Sequence, residues 1–275
     1  MSVAAQDRIV PSLELIRRTV AIENAYTLSR LRILEAIKGN PVGVFHRKVG
    51  RGGQALMARH LPVASFNRIA GLAEGDESEL EAVLGWYRDE RVAVQVELVP
   101  GFEGPALTRE LARLGFHHSG FQASMIARPR LHEPNRSLTI EPVVGDEAMD
   151  EFTAAYAAGW GIPDRAQFLR NVRPWPTLPG WSLFLARIDG VPAAAAILFI
   201  QGDMAYLADA ATDPKFRGHG CQTALLRRRL HIAADTGAEF AVSGAAFLSG
   251  SHRNMARAGM ELQFVRAIWT AVDRP

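Results

Sequence analysis

Met204-Ala-Tyr-Leu-Ala-Asp-Ala-Ala-Thr-Asp-Pro-Lys-Phe-Arg-Gly-His-Gly-Cys-Gln-Thr-Ala-Leu-Leu226 decides how this chain is read. An apolar strand ends at Thr212, Asp213-Pro214 breaks it, and Arg217-Gly-His-Gly220 leads into a helical pattern that begins near Gln222. Glycines at 218 and 220 let the backbone come close to an anion, which the unpaired N–H groups and the positive end of the helix dipole would face. The stretch therefore predicts a phosphate cradle; the plainer alternative is a tight turn before a core helix. Two nucleotide-binding patterns are excluded by spacing. Gly-x-x-x-x-Gly-Lys-Ser/Thr is missing, and Gly-x-Gly-x-x-Gly fails because Gly218 and Gly220 are followed by Thr223.

Outward from the cradle, Leu138–Val144 predicts a strand, Asp146–Ala158 a helix and Asp164–Arg170 a second short helix. Arg173-Pro-Trp-Pro-Thr-Leu-Pro-Gly-Trp181 is too irregular for an element: it is a substrate-side loop, or a loop whose tryptophans pack on the core. Ser182–Ile188 and Val191–Ile200 are apolar strands joined by the hairpin turn Asp189-Gly190, and Met204–Thr212 adds a third antiparallel strand. The helix Gln222–Ala234 turns Leu225, Leu226, Leu230 and Ala233 inward and Arg227, Arg228 and Arg229 partly outward. Glu239–Ser243 is then a strand parallel to the one before the loop, because a helix crosses between them.

The loop resembles the Arg-x-x-Gly-x-Gly/Ala signature of the GNAT superfamily of acyl-CoA N-acyltransferases, here Arg217-Gly218-His219-Gly220-Cys221-Gln222. Gln222 departs from the usual small residue and must point away from the coenzyme A pyrophosphate that this loop holds in the family. Ser249-Gly-Ser-His-Arg-Asn-Met-Ala-Arg-Ala-Gly-Met260 is similar to the family segment that ends in a helix and a Gly-Phe turn, with Gly259-Met260 in its place. Counted back from Gly259, the family's asparagine falls on Ser249 and its general-acid tyrosine on Met255, which has no proton to donate. The resemblance implies that Ala210, Ala211 and Thr212 hold the pantetheine amides at a splay between two parallel strands. It implies that residues 217–223, including Thr223, hold the diphosphate, and that Ser249 and Asn254 bond the pantetheine arm or merely cap a helix.

Four side chains carry open alternatives. Asp209, a carboxylate in a very apolar strand, is the candidate base for the substrate ammonium, or it anchors a neighbouring loop. Cys221 sits at a helix start, where thiolates are favoured, or is a small buried side chain. His219 and His252 are acid–base candidates or polar surface. No histidine, cysteine and carboxylate cluster has metal-ligand spacing, so no metal site is expected.

The first half predicts a helix capped by Ser12 that ends at Gly39-Asn40-Pro41, strands at Val42–Phe45 and Ala55–Ala58 around Gly50-Arg-Gly-Gly53, and a helix at Glu77–Asp89. A strand at Arg91–Val99, a helix at Pro105–Leu114 and a strand pair at Phe116–Ala127 follow. This order matches the second half, so the halves read as a degenerate tandem repeat. Before the helix at Glu77, however, stands Gly71-Leu-Ala-Glu-Gly-Asp-Glu77. Its carboxylates Glu74, Asp76 and Glu77 would repel a diphosphate, and they also suit plain capping of a helix start.

The 275 residues suffice for two domains of roughly 130 residues. Pro129, Pro134 and the polar run Glu133–Ser137 mark a linker between residues 1–133 and 134–275, and the resemblance implies that the first is a degenerate GNAT-like domain and the second a GNAT acyl-CoA-binding catalytic domain. The expected fold class is α/β (α+β), each domain a mixed, mostly antiparallel twisted sheet flanked by helices. A net charge of +2 without a basic block gives no case for nucleic acid, and one cysteine excludes a disulfide framework. Met1–Val10 lacks an apolar signal core, and the uncharged run Gly190–Gly202 falls short of the ~18 residues of a membrane span. The expectation is a cytoplasmic monomer or homodimer that binds no membrane. It would move an acetyl group from acetyl-CoA, its cosubstrate, to a primary amine of a small molecule or amino acid by direct attack. The alternatives are a non-catalytic acyl-CoA sensor and a tandem acyltransferase of the mycothiol-synthase or aminoacyl-transfer type.

Overall fold

A computed structural model describes residues 8–61, 63–133 and 138–272. In chain order the elements are α1 (Leu13–Glu35), β1 (Val44–Val49), β2 (Gly53–Ala58), β3 (Arg68–Ala70), α2 (Glu77–Asp89), β4 (Gln95–Leu98), α3 (Pro105–Arg113) and β5 (Phe116–Ala127). Then come β6 (Thr139–Pro142), α4 (Gly145–Trp160), α5 (Arg165–Val172), β7 (Trp181–Ile188), β8 (Val191–Gln201), β9 (Met204–Thr212), α6 (Cys221–Asp235), β10 (Phe240–Ala246), α7 (Gly250–Arg257) and β11 (Glu261–Ala271). They form two compact units, Ser12–Ser124 with 263–272, and Met125–Leu262 with 8–11. The expected linker residues 134–137 lie outside the described residues.

In the amino-terminal unit the strands run β1-β2-β3-β4-β11, antiparallel except for the parallel pair β3–β4. Strand alternation sorts the side chains of β2 between two cores. Ala55 and Met57 pack with Leu80, Val83, Leu84 and Tyr87 of α2 and with Leu107 and Leu111 of α3. Leu56 and Ala58 pack with Leu31 and Leu34 of α1. Ser12 caps α1 by accepting from the Leu15 amide at 3.2 Å, and the helix stops at Glu35, one turn earlier than the glycine signal at Gly39 suggests. Phe116–Ala127 is one long strand rather than a strand pair. Strand β3 has three residues, too few for a periodic signal, and the sequence reading missed it.

The closing strand departs most from expectation. It was assigned to the carboxy-terminal domain, yet Ala267, Ile268, Trp269 and Thr270 lie opposite Leu98, Glu97, Val96 and Gln95 of β4. Charge explains the choice. The Arg266 guanidinium, 3% exposed, donates to Glu97 at 2.8 Å and to Glu23 of α1 at 2.5 Å, while Arg68 donates to Glu97 at 3.0 and 3.1 Å. A buried charge is tolerable only with such partners. Burial alone would raise the Glu97 carboxyl, but Arg68 and Arg266 outweigh it and hold the pKa at about 2.

In the other unit the order is β10-β9-β8-β7-β6, antiparallel apart from the parallel β9–β10 pair. The β7–β8 hairpin turns on Asp189 (φ +49°) and Gly190 (φ +81°), as the Asp-Gly pair predicted. Ala193–Phe199 of β8 is buried without alternation, which requires cover on both faces. The helices in contact with it are α4 and α6. Trp175 and Trp181 are buried in an aromatic stack with Tyr156, Phe168 and Phe199, so the Arg173–Trp181 loop packs on the core. No described helix is long and apolar enough to cross a membrane.

Candidate functional site

Strand β9 is interrupted just before the loop. Ile197 of β8 pairs with Ala208, but Ala195 pairs with Ala211, so Ala196 stands opposite two residues, Asp209 and Ala210. This is a β-bulge, and Asp209 takes the strained backbone with φ +32°. On its other side β9 separates from β10. Their pairing stops at Tyr206↔Val242, and the Ser243 hydroxyl takes over by donating to the Leu207 carbonyl at 2.7 Å. Beyond Leu207 the strands splay, where the family resemblance implied a gap.

Beside the splay lies a cleft of about 390 Å³. Ala210, Ala211 and Thr212 form one wall, Arg217, Gly218, Gly220, Cys221, Gln222 and Thr223 another, and Gly159, Trp160, Ser251 and Asn254 the rim. Three consecutive strand residues line it because the bulge breaks the alternation that would hide one of them. Gly159 lets α4 come close: a Cβ there would stand 2.7 Å from that of Ala211.

The loop is built for an outside acceptor. Gly218 (φ +87°) and Gly220 (φ +80°) hold left-handed backbone, and a Cβ on either would meet nothing within 4 Å. Gly220 is the N-cap of α6 and no side chain caps it. The first helical bond is from the Ala224 amide to the Gly220 carbonyl at 3.0 Å, so the amides before it are the ones a helix start leaves open. Asp213 turns away, accepting from the Lys215 amide at 2.9 Å. Small walls, exposed amides and the Arg217 cation fit a diphosphate with a slender arm.

Gln222, on the first turn of α6, lines the cleft and bonds α7: its amide donates to Ser251 at 3.0 Å and accepts from Asn254 at 2.5 Å. Asn254 reaches the cleft but is held by Gln222 and by Arg257, which donates at 2.8 Å. Ser249 is not on the wall; it caps α7 by accepting from the His252 amide at 3.2 Å. His219 lies outside the wall as well, its Nδ1 near the Phe216 and Arg217 carbonyls at 3.3 and 3.2 Å. His252 Nδ1 accepts from the Leu248 amide at 2.9 Å. Met255, in the general-acid position, is buried.

The structure decides between the alternatives for Cys221 and changes the reading of two other side chains. Burial pushes the Cys221 thiol up, against the helix-start effect, so it is a small buried side chain rather than a thiolate. Asp209 belongs to the bulge, not to a regular alternation, and is half-buried outside the cleft's lining. Arg229, read as partly outward, is 1% exposed and lies under the bulge. Among the described residues no group of three His, Cys, Asp or Glu side chains is arranged for a metal.

A family model described as "Acetyltransferase (GNAT) domain" matches residues 127–246. This stretch of the chain is similar to a GNAT acetyltransferase domain. The matched span contains the splay, the bulge and the whole loop. Solved structures share the fold. A GCN5-related N-acetyltransferase from Kribbella flavida is 18% identical, with a TM-score of 0.66 over 93% of this chain and 96% of that one. One from Sphaerobacter thermophilus is 16% identical, with a TM-score of 0.63 over 82% and 78%. A tandem GNAT protein from the clavulanic acid biosynthesis pathway is 13% identical, with a TM-score of 0.59 over 89% and 88%. No curated protein matches the sequence significantly.

Proposed function

We propose that the chain is an N-acetyltransferase that uses acetyl-CoA as cosubstrate and a primary amine of a small molecule or amino acid as acceptor. The observation that carries this reading is the uncapped start of α6, with two glycines in left-handed backbone, opening into the same cleft as Ala210–Thr212. The diphosphate would rest on the amides of Gly218–Thr223 beside Arg217, and the pantetheine amides on the backbone of Ala210–Thr212. Acetyl-CoA supplies an activated carbonyl. Attack by the neutral amine forms the C–N bond and breaks the C–S bond, and the departing sulfur takes up a proton. Met255 has none to give, so that proton comes from water or from the amine itself. Asp209, on the strained bulge of β9 that leads into Ala210–Thr212, is the candidate to take the ammonium proton directly or through a water.

Titration of acetyl-CoA by calorimetry, followed by an amine panel with thiol detection, tests the proposal. Heat of binding with thiol release for one class of amine is expected; no heat removes the reading. Asp209→Asn should lower turnover at neutral pH by about a hundredfold while leaving coenzyme affinity unchanged. Unchanged turnover would take Asp209 out of the reaction. Buried Met255 and the position of Asp209 outside the cleft's lining favour a second reading, an acyl-CoA sensor without catalysis, which predicts tight binding and no thiol release with any amine.

A further inference from the structure

The inner face of α6 carries an arginine where a leucine would serve packing. Arg229 is 1% exposed, and its guanidinium donates to main-chain carbonyls of its own helix and of both strands beneath it. Nε donates to Leu225 in its own helix at 3.1 Å, and Nη1 donates to Ile197 at 2.9 Å and to Ala208 at 2.8 Å. Ile197 and Ala208 are the last regular pair before the register shift on that side of the bulge. A bulge withdraws backbone donors from the ladder where the extra residue enters. The guanidinium stands at that point and bonds the carbonyls on both strands. A planar fork of five donors suits this task, and an ammonium or a methyl group does not.

The same helix begins at Cys221, so α6 carries both the open amides at its start and, two turns on, the group that fixes the bulge. The bulge in turn sets which backbone of Ala210–Thr212 faces the cleft. We infer that Arg229 is a positioning residue that fixes the spacing between the two ends of the coenzyme site, the diphosphate loop at the start of α6 and the pantetheine-binding stretch of β9. The inference rests on the acyl-CoA reading of the cleft and adds to it the device that holds its two halves in register. It touches no reacting atom itself. Its effect is selective: a ligand that spans both ends depends on it, and one that occupies only the loop does not.

Calorimetry with two probes separates this role from general stability. Coenzyme A spans the cleft, whereas ADP carries a diphosphate without the pantetheine arm. For Arg229→Met, coenzyme A affinity should fall by about tenfold or more while ADP affinity stays within about twofold of the wild type. Arg229→Lys keeps the charge but not the fork, and should lie between the two in coenzyme A affinity. Thermal melting is measured alongside, and if the Met variant fails to fold, the Lys variant decides. Coenzyme A affinity equal to wild type in the folded variants overturns the inference. So does a parallel loss for both ligands, or failure of both variants to fold, since either makes the arginine a purely structural group. Absence of coenzyme A binding by the wild type has a different meaning: it removes the acyl-CoA reading itself.

Discussion

The loops before α2 and α6 have similar surroundings, a strand ahead and a helix behind, and opposite fates. Before α6 the turn holds two glycines in left-handed backbone, and its Asp213 carboxylate bonds the Lys215 amide, upstream of the glycines, rather than the helix start. Before α2 the chain supplies its own anions. Asp76, 3% exposed, accepts from the Ala73 amide at 2.9 Å and the Arg51 amide at 3.2 Å, and Glu77 accepts from the Gly75 amide at 3.0 and 3.1 Å. The sequence suggested that these carboxylates repel a phosphate or cap the helix. In the structure no side chain caps α2, and the carboxylates turn back onto loop amides. The lesson is that a strand–loop–helix unit is an anion site only while its amides stay unclaimed. The amino-terminal unit also keeps Glu97, Arg68, Arg266 and Glu23 locked in a buried network, so its charges are spent on structure.

Glu97→Gln gives the largest effect expected from this contrast. Leaving Arg68 and Arg266 short of a partner should cost about 3–5 kcal/mol by urea unfolding, without altering acetyl-CoA affinity. The pH dependence has a definite sign. The folded pKa of Glu97, at about 2, lies below its ordinary value, so the ionised form stabilises the fold above the unfolded pKa. Stability is then lost as pH falls from about 4.5 towards 2, by on the order of 3 kcal/mol from this group. The wild type should show this acid limb and Glu97→Gln should lack it; identical limbs would mean the network does not control acid unfolding.

Gly218→Asp carries the amino-terminal device into the other loop. A carboxylate over the open amides should weaken acetyl-CoA binding by about a hundredfold, with a stability loss near 1 kcal/mol from the left-handed backbone. Unchanged affinity would break the comparison. The reverse change, Asp76→Ala, leaves two amides without their acceptor and should lower stability by about 1–3 kcal/mol, measured in denaturant. The binding stoichiometry for acetyl-CoA should remain one per chain, because Glu77 still covers the Gly75 amide. The smallest effect belongs to Ser249→Ala, which removes the cap of α7 for about 1 kcal/mol and leaves acetyl-CoA affinity unchanged. A clear drop in affinity there would return Ser249 to the coenzyme's contacts.

Much of the carboxy-terminal unit was legible because its signals are local. Asp189-Gly190 specifies a hairpin turn, Asp213-Pro214 ends a strand, and Arg217-Gly-His-Gly220 can only bend where glycine is allowed. Gln222 breaks the small-residue pattern of the loop, and two partners on α7 receive its amide. Arg229 escaped this reading because it follows Arg227 and Arg228 in a run that looks like a solvated helix face. Only the bulge beneath it creates carbonyls for a buried guanidinium to bond.

The sequence by itself determined where the chain turns, and which helix start is preceded by glycines and which by carboxylates. Those properties depend on residues within a few positions of one another. The tertiary structure alone decided that β11 pairs with β4, that Asp209 sits on a bulge, and that Arg229 lies beneath it. Each of these is a pairing between residues far apart in the chain, such as Arg266 with Glu97. Strand propensity and helical period are the same whichever partner is chosen, so only the packed molecule, by satisfying buried charges and carbonyls, selects among them.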